Sequence, residues 1–283
     1  MTSPSPTLPD DIAETVQCAL AEDVGSGDLT AALMPESQTA RAQVVTRQDA
    51  VLCGTAWFDE VFRQLDTRVR VAWKTSDSMA IRGGQTLCQI EGPARAILTG
   101  ERTALNFLQT LSGVATRTHA YVDAVRGTKA IVLDTRKTVP GLRLAQKYAV
   151  RCGGGQNHRL GLYDGILIKE NHIAAAGSVT AALSAAKTTA QPNVLMEIEV
   201  ENLQQLREAL AASAKRILLD NFDLTGLRAA VDETRGRAQL EVSGGVTLAD
   251  VRALAETGVD FISIGDLTKN ITAVDLSLRL DTN

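Results

Sequence analysis

The chain has 283 residues, of which 45% are hydrophobic and 22% are charged, and its formal net charge is −4 at pH 7. This composition is typical of an aliphatic-rich globular protein, and the length suits one large domain or two smaller ones. An acidic chain lacks the basic face that binding to a nucleic-acid backbone requires. No apolar run reaches the roughly 18 residues that a membrane helix needs. We therefore expect neither a nucleic-acid partner nor a membrane.

The N-terminal segment MTSPSPTLPDD has neither a basic start nor an apolar stretch. We interpret it as a polar lead-in rather than a signal peptide, so the expected location is cytoplasmic. Four cysteines, Cys18, Cys53, Cys88 and Cys152, are far apart and form no Cys-x-x-Cys pair. Because the histidines are not clustered either, we expect reduced core thiols rather than a zinc site.

The first hundred residues predict a small α+β region with an antiparallel sheet. A short amphipathic helix comes first, with Val16 and Leu20 on its apolar face. Five strand candidates follow, which are RAQVVT, AVLCG, RVRVAW, TLCQIEG and RAILT. Leucines at helical spacing then predict a helix that begins near Glu101 and ends before Gly113, a suitable C-terminal cap.

From about residue 130, apolar strands alternate with helical segments. The strands are AIVLD, GILIK, LMEIEV, RILLD, QLEV and DFISI, and two of the helices are ENLQQLREALAAS and TLADVRALAETG. The second helix has Thr247 and Asp250 as a capping pair and Gly258 at its end. This alternation predicts βαβ units and a parallel sheet. A full β/α barrel has eight strands, so the barrel is incomplete, weaker strands escape the pattern, or the sheet is open and doubly wound.

Polar groups follow these strands at their carboxyl ends. They are Asp134 to Lys137, Lys169 and Glu170, Glu199, Asp220 and Asn221, Ser243 to Gly245, and Gly265 and Asp266. Because the carboxyl ends of parallel strands gather at one edge of the sheet, we expect these groups to become neighbours.

Three cations, Arg136, Lys137 and Lys169, directly follow apolar strands. Burial of an unpaired cation is costly, so they must meet either internal carboxylates or an anionic ligand, and we favour the ligand. His158 and Arg159 follow three glycines. The glycines are compatible with a flexible turn, whereas the His-Arg pair suits a carboxylate or phosphate.

The cations Arg143, Lys147 and Arg151 are spaced by four residues, and we interpret them as a solvated helix face. The glycines of EVSGGVT and SIGDLT are compatible either with tight turns or with backbone N–H groups that bind phosphate, which we favour. Glu199 and Asp220 could neutralise the cations, bind ribose hydroxyls or hold Mg²⁺.

Ordered blocks along the chain resemble the quinolinate phosphoribosyltransferase family. They are ERTALNFLQTLSGVAT, DTRKTVPGLR, KYAVRCGGGQNHRLGLYDGILIKENH, EIEVEN, LLDNF, LEVSGGV and DFISIGDLT. The resemblance extends from EDVGSGDLT to DLSLRL, nearly the whole chain. It implies a pentosyltransferase that transfers the phosphoribosyl group of phosphoribosyl pyrophosphate to quinolinate with decarboxylation. The products would be nicotinate mononucleotide, pyrophosphate and CO₂, in de novo NAD biosynthesis, with Mg²⁺ as cofactor.

The resemblance also implies roles for individual residues. The quinolinate site would contain Arg102, Thr135, Arg136, His158, Arg159 and Lys169. The phosphoribosyl pyrophosphate site would contain Lys137, Glu199 and Asp220, with Glu199 and Asp220 at the Mg²⁺ ion. The 5′-phosphate would meet Ser243, Gly244, Gly245 and Gly265. The catalytic residues would be Lys137, Lys169, Glu199 and Asp220.

The fold that the resemblance implies is α/β, with an incomplete parallel β/α barrel preceded by an α+β sandwich-like domain. The sandwich would comprise residues 1–112 with the tail 273–283, and the barrel residues 113–272. A homodimer or higher oligomer is implied, with Arg102 acting in trans. Asp266 departs from the family pattern, which has a small neutral residue there, and a carboxylate would repel a bound phosphate.

Three other functions are compatible with the sequence. A molybdenum-associated relative of this fold would act on another acid. A carrier module would attach its cofactor at Lys74, the only lysine in the first hundred residues. A simple anion-binding protein would lack catalysis altogether.

Overall fold

A computed structural model describes residues 6–191 and 194–281. The chain divides into two compact units, the first with residues 1–119, 139–154 and 270–283 and the second with residues 120–138 and 155–269. The first five residues of the polar lead-in and the last two of the tail lie outside the described residues. The predicted boundary after residue 112 stays a prediction. Within the described ranges, no helix is long and apolar enough to cross a membrane.

The first unit combines antiparallel strands with helices. Its elements are α1 (Ile12–Val24), β1 (Thr39–Thr46), β2 (Ala50–Val51), α2 (Thr55–Leu65), β3 (Arg70–Trp73), β4 (Ala80–Ile81), β5 (Thr86–Pro93), α3 (Ala94–Ala124, with its last five residues in the second unit), α4 (Arg143–Cys152) and β12 (Leu276–Leu280). One sheet has the order β12-β1-β5-β3, and β2 pairs with β4. The strand of the tail thus joins the sheet of this unit, with Leu278 opposite Val44.

Helix α3 differs from the prediction at both ends. It begins at Ala94, so the strand predicted for RAILT is wrong, and it continues through Gly113 to Ala124. A methyl group on Gly113 would lie 2.3 Å from the backbone oxygen of Thr272. One on Gly100 would lie 2.8 Å from the ring of Phe62. These glycines therefore allow close packing on the helix and do not terminate it.

The second unit is built on six parallel strands. Its elements are β6 (Ile131–Leu133), β7 (Gly165–Ile168), α5 (Glu170–Ala176), α6 (Val179–Thr189), β8 (Leu195–Val200), α7 (Leu203–Ala211), β9 (Arg216–Asp220), α8 (Leu224–Thr234), β10 (Gln239–Ser243), α9 (Val251–Ala255), β11 (Phe261–Ser263) and α10 (Asp266–Lys269). All six strands match the predicted ones. The order β6-β11-β10-β9-β8-β7 places β6 and β7 at the two ends, and Gln156 bridges to Leu133 at the β6 edge. This topology confirms the predicted fold class, an incomplete β/α barrel after an α+β region.

Helix α7 has a side-chain cap, whereas the capping pair predicted for α9 does not act as one. Asn202 caps α7, because its side chain accepts a hydrogen bond from the Gln205 N–H group. Helix α9 is shorter than predicted and begins only at Val251. The Thr247 hydroxyl donates to the Asp250 carboxylate instead of capping a backbone N–H group. The predicted capping pair is therefore in contact, but it does not cap the helix.

Two predictions about burial are wrong. Lys147 is only 1% exposed, because residues 145–150 of α4 are all buried, so the cations of α4 do not form a solvated face. Cys18 is exposed, whereas the other three cysteines are buried. The thiols of Cys53 and Cys152 meet a carboxylate oxygen of Asp77, with all three atoms within 4.8 Å of one another.

The close approach at Gly113 predicts a stability effect. Gly113→Ala would place its methyl group against the Thr272 backbone and should destabilise the protein by about 1–3 kcal/mol. Urea unfolding measures the change, with Ser184→Ala on the exposed side of α6 as the control. A Gly113→Ala protein as stable as the wild type would show that the contact with Thr272 relaxes without cost.

Candidate active site

Two guanidinium groups come together after β6 and before β7. Arg136 is half-buried, and its Nε atom is buried with no hydrogen-bond partner among the described residues. The Arg159 side chain donates to the backbone oxygen of Gly165 at 3.0 Å. Burial, and next the charge of Arg136, lower the pKa of Arg159. An arginine whose pKa is lowered beside a second arginine with a buried, unpartnered Nε–H forms a site that an anion would stabilise.

The buried carboxylate of Asp134 holds the segment that precedes Arg159. Asp134 is fully buried at the end of β6. It accepts a hydrogen bond from the Asn157 side chain at 2.6 Å and from the His158 backbone N–H group at 2.9 Å. The segment of Asn157 and His158 is therefore tied to the end of β6, just before Arg136.

Both ring nitrogens of His158 have protein partners. Nδ1 accepts a hydrogen bond from the Arg159 backbone N–H group at 2.7 Å. Nε2 lies 2.8 Å from Oε2 of Glu197 and 3.7 Å from Oε1 of Glu241. His158, predicted at the quinolinate carboxylates, thus also contacts carboxylates of the protein itself.

The residues beneath His158 form a buried charged cluster that the sequence analysis missed. Arg216 contacts Glu197 at 3.2 Å and Glu241 at 2.5 Å, and its guanidinium lies 4.0 Å from the ring centroid of Phe261. Ser263 donates to Glu241. The signal was present, since a charged residue interrupts each of the apolar strands LMEIEV, RILLD and QLEV.

The two glutamates of this cluster have opposite pKa shifts. Burial, and then the nearby charge of Glu197, raise the pKa of Glu241 to about 7. Burial also acts to raise the pKa of Glu197, but the hydrogen bond with His158 is the largest of several opposing effects, and the pKa is lowered. At neutral pH Glu197 is therefore the ionised partner, and Glu241 keeps a proton for much of the time.

Lys169 and Glu199 meet at the edge of the sheet. Lys169 Nζ lies 2.7 Å from Glu199 Oε2, and the Lys169 side chain is 46% exposed. Lys137 is exposed as well. Of the three cations that follow apolar strands, Arg136 is half-buried and the two lysines are exposed. The structure thus shows the ion pair that the sequence left open as one alternative for Lys169.

Asp220 lies at the end of β9, the strand next to the one that carries Glu199. The Asn221 side chain donates to its carboxylate at 3.0 Å, and Asn221 itself has a positive φ of 59°. Carboxylate oxygens at the ends of adjacent strands are the donors that Mg²⁺ prefers. This donor set fits a magnesium ion.

Thr135, Lys137 and Gly265 are neighbours. The Lys137 backbone N–H group donates to the Thr135 hydroxyl at 3.0 Å. A methyl group on Gly265 would lie 3.0 Å from Cδ of Lys137 and 3.6 Å from the Thr135 hydroxyl oxygen. Glycine at this position therefore leaves room for the lysine side chain.

The second glycine turn also lies at this edge. Gly244 and Gly245 follow Ser243 with φ values of 106° and 58°, the left-handed region that favours glycine. A methyl group on Gly244 would lie 3.6 Å from the Asp220 carboxylate. Because α9 begins several residues later, the glycines do not form its N-terminus as the sequence had suggested.

Asp266 and Arg102, which the sequence analysis singled out, both lie on helices. Asp266 begins α10, and the Tyr121 hydroxyl lies 3.4 Å from its carboxylate. Arg102 is exposed on α3 and belongs to the first unit, whereas the other predicted site residues belong to the second. The second unit alone thus brings together the guanidinium pair, the lysines, the carboxylates and the glycine turns.

The fold and site define a class of protein. A parallel β/α sheet with cations, acids and glycine turns at its carboxyl edge is typical of enzymes that bind small anionic substrates. The family model for the quinolinate phosphoribosyl transferase C-terminal domain matches residues 114–279, and that for the N-terminal domain matches residues 28–112. The chain belongs to this family, which confirms the resemblance.

Curated relatives and solved structures agree with this assignment. The chain is 45% identical to nicotinate-nucleotide pyrophosphorylase [carboxylating] of Mycobacterium leprae, over 94% of this chain and 96% of that protein. It is 42% identical to the probable enzyme of that name from Bacillus subtilis, over 91% and 89%. A nicotinate-nucleotide pyrophosphorylase structure from Francisella tularensis has a TM-score of 0.93 and 45% identity, covering 99% of this chain and 100% of that one.

The raised pKa of Glu241 predicts a pH dependence of stability. An acid whose pKa is higher in the folded than in the unfolded state loses its stabilising contribution as pH rises from its ordinary pKa, 4.5, to about 7. The wild type should therefore lose stability relative to Glu241→Gln over this range, because glutamine does not titrate. Urea unfolding of both proteins at pH 5, 6, 7 and 8 measures the difference. A difference that stays constant with pH would contradict the shift.

Proposed function

We propose that the protein transfers the phosphoribosyl group of phosphoribosyl pyrophosphate to quinolinate with decarboxylation. The products are nicotinate mononucleotide, pyrophosphate and CO₂, in the de novo synthesis of NAD. The observation that carries the proposal is the pairing of Arg136 with Arg159 and the unpartnered N–H group of Arg136. The names of the relatives, which share more than 40% of their residues with this chain, support the same reaction.

Quinolinate is a planar dianion with two adjacent carboxylates, and two guanidinium groups can each bind a carboxylate in a forked geometry. Arg136 and Arg159 would hold these carboxylates, with Thr135, His158 and Lys169 around them and Arg102 contributed by a partner subunit. Lys169 is paired with Glu199 at 2.7 Å, so an incoming carboxylate competes for its ammonium group. This competition limits how tightly Lys169 holds the substrate carboxylate.

The phosphoribosyl side of the site would use the remaining polar groups. Glu199 and Asp220 would hold Mg²⁺, which when bound offsets negative charge on pyrophosphate oxygens. Lys137 has an exposed ammonium group that can reach the pyrophosphate. Backbone N–H groups at Gly244, Gly245 and Gly265, with Ser243, would bind the 5′-phosphate.

The chemistry then depends on position and charge. Lys137 stabilises the negative charge on the departing pyrophosphate while the ribose carbon becomes cationic, and the quinolinate nitrogen attacks that carbon. The ribosylated nitrogen is positive and adjacent to the carbon that loses CO₂, so it stabilises the electron pair left behind, and that carbon then takes up a proton to give nicotinate mononucleotide. The arginines orient the dianion, but a stronger hold on the departing carboxylate would oppose its loss.

An assay with both substrates tests this function. Quinolinate, phosphoribosyl pyrophosphate and Mg²⁺ should together give pyrophosphate and CO₂ in equal amounts, and omission of any one should stop the release. Nicotinate replaces quinolinate as the matched control, because it lacks the carboxylate that is lost. Absence of pyrophosphate release from the complete mixture would refute the proposal and favour a binding protein. Turnover of a different acid alone would favour the molybdenum-associated type.

Removal of the guanidinium group with the unpartnered N–H should affect one substrate selectively. Arg136→Ala should raise the quinolinate KM by about tenfold to a hundredfold, because a charged hydrogen bond to a carboxylate is lost. The KM for phosphoribosyl pyrophosphate and the unfolding temperature should change little. Arg252→Ala, at an exposed ion pair with Glu256, is the matched control. Wild-type quinolinate kinetics in Arg136→Ala would remove Arg136 from the site.

We further propose a homodimer or higher oligomer in which Arg102 acts in trans, and a cytoplasmic location. At a quinolinate concentration near the wild-type KM, Arg102→Ala and Arg136→Ala should each have little activity alone. In mixed dimers one site would carry both changes and the other neither, so random mixing should restore about a quarter of wild-type activity. The assay follows activity after the two proteins are mixed and their subunits exchanged. If Arg102 acts in cis, mixing restores nothing.

A further inference from the structure

The hydrogen bonds of His158 determine which of its ring nitrogens carries a proton. The Arg159 backbone N–H group can only donate, and it points to Nδ1 at 2.7 Å. A ring nitrogen that accepts this hydrogen bond carries no proton, which assigns the ring proton to Nε2. The Nε2–H group then donates to Glu197 at 2.8 Å.

Glu197 is itself held rigidly. It is fully buried on β8, and its other carboxylate oxygen accepts a hydrogen bond from Arg216 at 3.2 Å. Arg216 in turn lies on the ring of Phe261. The acceptor that Glu197 presents to His158 thus has little freedom to move.

We propose that Glu197 is a positioning residue that fixes His158 in the Nε2–H tautomer and thereby places Arg159 for its anionic substrate. The contact chain runs from Glu197 through the His158 ring to the Arg159 backbone. It deepens the proposed function, because Arg159 is one of the two guanidinium groups assigned to the quinolinate carboxylates. Glu197 itself does not contact the substrate.

The tautomer matters for charge as well as for position. Arg136 and Arg159 already oppose each other's charge. A protonated His158 would add a third positive charge and would break the bond from the Arg159 N–H group to Nδ1. With Glu197 as the acceptor at Nε2, the ring proton stays on that side and Nδ1 remains the acceptor that holds the Arg159 backbone.

The wild-type tautomer can be read without any assay of activity. Protein labelled with ¹⁵N-histidine has only three histidines, and His158→Gln identifies the His158 signals by their loss. We expect an unprotonated Nδ1 and a protonated Nε2 at pH 7. A His158 ring with its proton on Nδ1, or on both nitrogens, would overturn the proposal. Because this measurement uses no substrate, its result stands even if the enzyme assay shows that the proposed function is wrong.

Kinetics of two variants and their combination test the contact chain. Glu197→Gln should raise the quinolinate KM about tenfold and leave the KM for phosphoribosyl pyrophosphate within about twofold. His158→Gln should do the same, and the double variant should resemble each single one because both act through the same contact. Effects that multiply in the double variant would overturn the proposal, since Glu197 would then act independently of His158.

Two further variants make the result interpretable. Glu256→Gln removes a carboxylate from an exposed ion pair with Arg252 and should leave both KM values unchanged. If Glu197→Gln does not fold, Glu197→Asp replaces it, because aspartate keeps the charge that faces Arg216 but withdraws from Nε2. The same selective rise in the quinolinate KM is expected, and a wild-type quinolinate KM in a folded Glu197→Asp protein would overturn the proposal.

Discussion

Charge buried within the parallel sheet has to be neutralised, and the arrangement of the second unit depends on this constraint. Glu197 and Glu241 are both fully buried, and Arg216 is the arginine that contacts both. Two carboxylates against one guanidinium would leave a negative charge in a medium of low dielectric, which is costly. The raised pKa of Glu241 removes that charge, because a proton on Glu241 makes the group of three neutral.

The neutral cluster separates the interior of the sheet from its edge. Alternate residues of a strand lie on the same face, so Glu197 and Glu199 share a face of β8. The inner one contacts Arg216 and His158, and the outer one pairs with Lys169. The charges of Asp164 and Glu197 act to raise the pKa of Arg159, but burial and the charge of Arg136 outweigh them, so the edge still favours an anion. The same strand thus supplies both the support and the surface of the site.

Local pattern was sufficient to predict the six parallel strands, since each is a short apolar run that ends in polar residues. It was also sufficient to place Arg136 at the carboxyl edge, because parallel strands gather their carboxyl ends, whereas Arg159 precedes β7 and was singled out by the His-Arg pair and the family resemblance. Local pattern failed where contacts between segments that are distant in the sequence determine the structure. Gly113 was predicted to end a helix, but the helix continues, and the backbone of Thr272, 159 positions further along the chain, packs against Gly113. Lys147 was predicted to be exposed to solvent, but it is buried together with its neighbours in α4. The partners of Glu197 lie on other strands and on the segment before β7, so no spacing in the sequence could identify them.

The balance of charge at the edge also bears on how such a site can release CO₂. A pocket that binds a dicarboxylate through many ionised groups stabilises the substrate, whereas decarboxylation needs the departing carboxylate to lose its charge to the ring. In this structure Lys169 is paired with Glu199, and both ring nitrogens of His158 have protein partners. In the proposed function two guanidinium groups, which bind by shape and direction as well as by charge, would be the main cations for the substrate. A site built this way would hold the dianion in position without the excess of positive charge that would oppose the loss of its carboxylate.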